Sequence, residues 1–320
     1  MKKIILKVLA LIAVLITGLI LFIFSTWDKT HDVPLPNITA SQDSLVIARG
    51  KYLAFGPAHC GTCHVPMDKI REVENGLEIP LSGGLEFNTP AGTFRAPNLT
   101  PDMETGIGKY SDGEIARALR HSVNPSGRGM FPFMPFQEIS DDDLTALVSF
   151  MRSQEAVSHD VKRTELSFLG KVISAFGLVK PIGPENTPPK SINKGPTIEY
   201  GAYIANNVAN CRGCHTERDL KTGAYIGIDY AGGLVIPSTN KKFVTPNITP
   251  DKETGVMTNW NEEMFINRFR AGKVHEGTPM PWGSFSRIDE IELKAIYRFL
   301  QSLDPVKNKI ERTVYEPGEE

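Results

Sequence analysis

A chain of 320 residues with 41% hydrophobic and 22% charged content has the material for about two globular domains, and it is too apolar to stay disordered. Its formal net charge of −2, with no run of Lys or Arg interleaved with aromatics, offers no basic field to a phosphate backbone and argues against nucleic acid as a partner.

The N-terminus reads Met1-Lys2-Lys3 and then an apolar run from Ile4 to Phe24, broken only by Lys7, Thr17 and Gly18. About 21 residues at ~1.5 Å each cover the ~30 Å of a bilayer core. The run ends in Ile-Phe-Ser-Thr-Trp, without the small-x-small site that a signal peptidase needs, so residues 1–27 are expected to be an uncleaved anchor rather than a removed signal. Lys2, Lys3 and Lys7 should stay cytoplasmic, which sends everything after Trp27 to the periplasmic side. Residues 28–40 form a polar spacer.

Beyond the spacer the chain repeats itself at an offset of about 150 residues. Gly50-Lys51-Tyr52-Leu53-Ala54 answers Gly201-Ala202-Tyr203-Ile204-Ala205, and a Cys-x-x-Cys-His follows each. Gly83-Gly84-Leu85 answers Gly232-Gly233-Leu234, and Pro97-Asn98-Leu99-Thr100-Pro101-Asp102 answers Pro246-Asn247-Ile248-Thr249-Pro250-Asp251. Met134-Pro135 answers Met280-Pro281, and Phe150 answers Phe299. The order is kept throughout, which indicates a tandem duplication. The expected domains are 41–154 and 196–304, joined by a Pro-rich connector at 155–195 and followed by a tail at 305–320.

Helical patterns dominate and alternating strand patterns are nearly absent, so the expected class is all-α. Ser41 is a natural N-cap for a helix to Ala54, and Ser140 for one carrying Leu144, Leu147, Val148 and Met151 on its apolar face. Further helices fit Asp112 to Arg120, Asn261 to Arg270 and Asp289 to Leu303. In the connector, Leu166 to Leu178 is apolar enough for a short helix packed on the domains. Gly50 and Gly201 fall mid-helix, where glycine costs ~1 kcal/mol relative to alanine. A close crossing with the helices bearing Phe150 and Phe299 would offset that cost.

Cys60-Gly61-Thr62-Cys63-His64 and Cys211-Arg212-Gly213-Cys214-His215 are the pattern of covalent haem attachment. Two thiols on one helical turn reach the two vinyl groups of one porphyrin, and the next residue places an imidazole under the iron. A four-cysteine zinc site would bring its pairs within about 15–20 residues, and a disulfide framework would leave both histidines unexplained. The expectation is two haem c groups, held by Cys60, Cys63, Cys211 and Cys214 and ligated by His64 and His215. Met280, between two prolines, is the expected sixth ligand of the second iron. Met130 and Met134 compete at the first, and the repeat favours Met134. His121 and His275 are alternative ligands, more simply read as solvated. Met257 and Met264 are read as packing residues, His59 as a haem-rim residue, and Tyr110 and Trp260 as haem-edge or core groups. The Pro-Asn pairs Pro97-Asn98 and Pro246-Asn247 are expected to shape the loop on the histidine side and to fix the histidine through a hydrogen bond.

With these residues in hand, each repeat resembles a class I cytochrome c domain, after an N-terminal transmembrane helix. The run from Asn98 to Gly108, the Met134-Pro135 loop and Cys214-His215-Thr216-Glu217-Arg218 are similar to the cytochrome subunits of membrane-bound alcohol and gluconate dehydrogenases. Those subunits resemble three such domains in series, where this chain has two, and Glu217 replaces their proline. The resemblance implies electron transfer to and from protein partners, among a dehydrogenase, a quinol-linked complex and a terminal oxidase. Two six-coordinate irons would leave no small-molecule substrate at either haem and make the chain an electron carrier rather than an enzyme. The competing reading, a dihaem enzyme such as a peroxidase or thiosulfate dehydrogenase, requires an open or cysteine-ligated iron.

Overall fold

A computed structural model of the chain describes residues 1–219, 224–237 and 241–319. Residues 220–223 and 238–240 of the expected second domain, and Glu320 of the expected tail, lie outside the described residues.

Helix α1 (Lys2–Thr26) runs unbroken through the apolar N-terminus and is long and apolar enough to cross a membrane. Of its side chains only Ile23 is buried. The stretch expected as a spacer is knitted to the first repeat. The His31 N–H donates to the Gly127 carbonyl at 2.7 Å, Thr30 pairs in a β-bridge with Arg128, and Arg128 forms an ion pair with Asp28.

Helix α2 (Ser44–Phe55) starts slightly later than Ser41 suggested, because Asp43 takes the cap and accepts the Leu45 N–H at 2.8 Å. Helix α3 (Ile70–Glu74) and a hairpin of β1 (Glu86–Thr89) and β2 (Gly92–Arg95) follow. Helix α4 (Asp112–His121) opens with a reciprocal box in which Ser111 and Glu114 each accept the other's backbone N–H. Helix α5 (Asp141–Ser153) is capped by Ser140 as expected, and the connector also reaches this helix end: Pro189 and Lys190 carbonyls accept the Asp141 and Asp142 N–H groups at 3.0 Å. Next come β3 (Glu165–Leu166) and α6 (Phe168–Ala175). The second repeat carries α7 (Ile198–Tyr203), continued by a π turn at Ile204–Val208, then α8 (Cys211–His215), β4 (Val235–Pro237) and β5 (Lys242–Val244). It closes with α9 (Glu262–Arg270), capped by Asn261, then α10 (Trp282–Phe285), α11 (Glu290–Gln301) and β6 (Val314–Tyr315).

The all-α expectation therefore needs correction. Among the described residues the fold is helical with two small antiparallel sheets, ordered β1-β2-β3 and β4-β5-β6. Strands of two to four residues are too short to display alternation. The third strand of each sheet also arrives from beyond the closing helix, in segments expected to be connector and tail, and no local pattern announces such a pairing.

Packing is organised by two helix crossings. A Cβ on Gly50 would lie 1.8 Å from the Ala146 carbonyl oxygen and 2.8 Å from the Phe150 Cβ. One on Gly201 would lie 2.0 Å from the Ala295 oxygen and 2.8 Å from the Phe299 Cβ. The helices touch backbone to backbone, with the expected phenylalanines as partners, and this contact explains glycine where propensity disfavours it. Around the crossings Leu53, Leu144, Leu147, Ile204, Leu293 and Ile296 are buried in one continuous core.

The repeats meet through a buried polar network. The Arg49 guanidinium donates to both Asp143 oxygens at 2.8 and 3.0 Å and to Glu292 at 2.9 Å. Tyr52 and Tyr200 donate to Glu292, and Tyr203 donates to Asp143 at 2.8 Å. Tyr52 and Tyr203 occupy equivalent repeat positions, as do Asp143 and Glu292, so each repeat sends a tyrosine to the other's carboxylate. This reciprocity is that of an isologous two-fold interface. Burial works against the Arg49 charge, but Asp143 and Glu292 outweigh it and hold the guanidinium above its ordinary pKa; burial raises Tyr52, Tyr200 and Tyr203, keeping them neutral donors.

Gly50→Ala is expected to lower stability by about 1–3 kcal/mol through overpacking, although alanine is the better helix former; a denaturation midpoint at or above the parent's would contradict the crossing. Arg49→Met strands two buried carboxylates and should cost about 3–5 kcal/mol. The same change combined with Asp143→Asn and Glu292→Gln should recover much of that loss, and urea titrations of the parent and the two variants decide the matter.

Candidate functional site

Each Cys-x-x-Cys-His segment begins with a residue in the left-handed region, His59 at φ 42° and Asn210 at φ 56°, which turns the chain sharply out of the preceding helix. The turn then winds tightly, with the Cys63 and His64 N–H groups donating to the Cys60 carbonyl at 3.2 and 2.9 Å. Both thiols of a pair therefore lie on one turn. All four are free, and Cys60 and Cys211 pack against the core. Burial, with the neighbouring thiol adding to it, pushes Cys60 and Cys211 up to about 12. Such thiols are protonated, the reverse of the low-pKa thiolate that drives a dithiol redox pair. Among the described residues no three His, Cys, Asp or Glu side chains converge to hold a bare metal ion, so the two pairs do not form one zinc site.

The histidines are fixed by the same device. His64 Nδ1 bonds the Pro97 carbonyl at 2.9 Å, and His215 Nδ1 bonds the Pro246 carbonyl at 3.1 Å. A carbonyl only accepts, so the proton is assigned to Nδ1 and the Nε2 lone pair is left for a ligand. Burial lowers the pKa of both rings and favours the neutral form that ligation requires.

Those carbonyls are held by a cradle found in both repeats. Asn98, almost fully buried, accepts from the Thr100 N–H at 2.9 Å and hydroxyl at 2.7 Å, and donates to the Val157 carbonyl at 2.8 Å and to Thr105 at 3.2 Å. Asn247 repeats every bond with Thr249, Val306 and Thr254. Asp102 and Asp251 close the loop by accepting from Thr105 and Thr254, and those hydrogen bonds hold both carboxyls below the usual range. Gly83, at φ 75°, donates its N–H to the His64 carbonyl, and a Cβ there would sit 2.5 Å from the Pro97 carbonyl carbon. Gly232 stands in the same relation to His215 and Pro246. The paired glycines noted as part of the repeat thus let the loop close against the histidine's backbone.

Met134 and Met280 are both half-buried and pack against the core. Gln137 Nε2 donates to the Met134 carbonyl at 3.1 Å and to Ser122 at 3.0 Å, while the Met130 N–H is spent on the Ser122 carbonyl at 2.7 Å. Met257 is core packing as expected, but Met264 is 51% exposed on α9 rather than packed. The His121 ring faces Gly183 of the connector, and His59 bonds the Pro57 carbonyl through Nδ1 while its ring meets Phe285 of the second repeat edge-on at 5.4 Å. Tyr110 and Trp260 pack against the core, each offering its carbonyl to a residue of the closing helix, Arg152 and Tyr297. Gln137 escaped the sequence reading because Gly283 stands at its place in the second repeat. The Arg268 guanidinium, 3.6 Å above the Trp282 ring beside Met280, escaped because no spacing rule links them.

Asn98→Ala removes the hinge of the first cradle at a cost of about 1–3 kcal/mol. Hydrogen exchange should quicken at residues 97–105 and at Val157 while 246–254 stay protected; equal protection in both repeats would disprove the role.

Residues 47–155 match the cytochrome c family. The chain is 31% identical over 245 residues to the cytochrome c subunit of the alcohol dehydrogenase (quinone) of Gluconobacter oxydans (strain 621H), covering 72% of this chain and 48% of that one. It is 29% identical over 285 residues to the gluconate 2-dehydrogenase cytochrome c subunit of Pantoea cypripedii, covering 82% and 60%. It is 28% identical over 211 residues to a protein described as "Diheme cytochrome c-type" from Cereibacter sphaeroides, covering 64% and 68%. The chain spans about half to three fifths of the length of these two dehydrogenase subunits.

Proposed function

Starting from a cytochrome c domain at residues 47–155, which implies covalently bound haem c, we propose that the chain is an electron carrier with two such groups, one in each of two tandem class I domains. The observation that carries this reading is the duplicated cradle. The region beyond residue 155 repeats the Nδ1-to-carbonyl bond, the Asn-Thr clamp and the positive-φ glycine of the matched region, bond for bond. Cys60 and Cys63, and Cys211 and Cys214, would hold the two groups. His64 and His215 would ligate iron through Nε2, with Met134 and Met280 opposite. A haem so held supplies a one-electron couple whose potential the thioether raises by favouring the reduced state.

The chain's own residues do the rest. Pro97 and Pro246 carbonyls fix the tautomer and orientation of each imidazole, and burial keeps it neutral. Gln137 ties the backbone of Met134 in place, and the apolar core behind Cys60, Cys211, Met134 and Met280 keeps water from one side of each site. With His and Met provided at both irons the chain carries electrons without transforming a substrate. Helix α1 anchors it to the cytoplasmic membrane with the haem-bearing part on the periplasmic side, and its redox partners are proteins, among which a dehydrogenase is favoured by the names of its relatives.

Full-length protein matured in a host competent for haem attachment should contain two haems per chain by pyridine haemochrome assay and show a Met-to-iron(III) near-infrared band. Met280→Ala should lose about half of that band and gain carbon monoxide binding at one haem. One haem per chain, or Met280→Ala with unchanged ligand binding, would remove the second site from the assignment.

A further inference from the structure

Helix α6 was expected to pack on the domains, and its buried edge does: Ser167 donates to the Pro90 carbonyl at 2.7 Å, and Gly170 sits so close to the β1-β2 turn that a Cβ would lie 2.0 Å from the Ala91 oxygen. Its other edge is apolar and open. Phe168 is 58% exposed, Leu169 48%, Phe176 58% and Leu178 74%. That face does not end at solvent, because it continues onto the end of α1. The Phe176 ring meets Phe22 at 5.5 Å, and the Lys171 ammonium lies 5.1 Å from the ring centres of both Phe24 and Trp27.

We infer that α6 is an interfacial helix, its open face immersed in the headgroup-to-acyl boundary of the phospholipid leaflet from which α1 emerges. This inference rests on reading α1 as membrane-spanning. Three observations favour lipid over another occupant. The apolar surface of α6 is continuous with that of a helix whose own side chains are almost all open, so one apolar medium covers both. Trp27 and Lys171 lie together at the junction, the amphipathic pair that sits at headgroup depth. The adjoining cleft carries Lys29 and Lys180 beside the Arg128–Asp28 ion pair, a rim of net positive charge matched to lipid phosphates.

The consequence reaches the first candidate haem site. Through β3, which pairs with β2 at Gly92 and Thr93, α6 is rigidly joined to the hairpin. Phe94 of that hairpin packs on Phe131 and Phe133 of the Met134 loop at 4.7 and 5.1 Å. With Asp28, Thr30 and His31 bonded to the 127–128 turn, the first repeat is mounted on the bilayer at two points rather than tethered by a leash.

The test places benzoylphenylalanine singly at positions 15, 168, 178 and 264 of the full-length haem-loaded protein in phosphatidylcholine–phosphatidylglycerol liposomes, followed by irradiation and peptide mass analysis. Peptides labelled at 168 and 178 should gain the mass of one phospholipid, as should that labelled at 15 within α1, whereas 264 on α9 should not. Lipid adducts at 15 but not at 168 or 178 overturn the inference and leave the anchor standing. Cross-links from 168 or 178 to a second copy of the chain, or equal lipid labelling at 264, also overturn it. No lipid adduct at 15 overturns the anchor itself, and the inference with it.

Discussion

The architecture depends on two places where helices meet with no side chain between them. Gly50 lies on the Ala146 carbonyl and Gly201 on that of Ala295, and no residue with a Cβ fits either gap. Because the helix bearing each glycine leads directly into a Cys-x-x-Cys-His turn, the crossing fixes where the thiols and imidazole start. Because the partner helix leads into the segment that clamps Asn98 or Asn247, it also fixes where the cradle ends. A close backbone approach is tolerant of neither shift nor rotation, which makes it an effective reference point for a site assembled from distant segments.

The second organising element is electrostatic. One guanidinium stands between two buried carboxylates, and neutral tyrosine hydroxyls from both repeats donate to the same carboxylates. A buried arrangement of this kind adds little net stability over apolar packing, yet it accepts very few geometries. Its value lies in setting how one repeat sits on the other. The seam is also asymmetric in detail: Arg49 faces Tyr200 at equivalent positions, so the duplicated halves have diverged to place one guanidinium between their shared charges, with the Lys194 ammonium acting on the same carboxylates. A seam that resists rotation would also fix the separation and orientation of the two proposed haem centres.

At the site itself, backbone rather than side-chain chemistry does most of the positioning. A proline carbonyl determines which imidazole nitrogen keeps its proton, an asparagine holds that proline's loop, and a glycine in a left-handed conformation lets the loop close. These parts tolerate few substitutions, whereas the Met-bearing loops differ between repeats, with Gln137 at one and the Arg268–Trp282 stack at the other. The two proposed centres thus share their histidine side and differ on their methionine side, where two related sites can most readily acquire different potentials.

Much was legible in the sequence because its signals are local. Haem attachment depends on two thiols and an imidazole within five residues, a helix start can depend on one capping side chain such as Ser140, and an apolar run long enough to span a bilayer is visible by count. The repeat added a second reading of each element and pointed to the glycine crossings. Tertiary structure alone decided what depends on segments that meet only after folding: the third strands at Glu165–Leu166 and Val314–Tyr315, the carbonyl partner of each histidine, the reciprocal tyrosine–carboxylate seam, and the joining of α6 to α1. A sequence records which groups a residue offers, but a hydrogen bond or a buried charge pair is set by where the remote partner comes to rest, and that is settled only when the whole core closes.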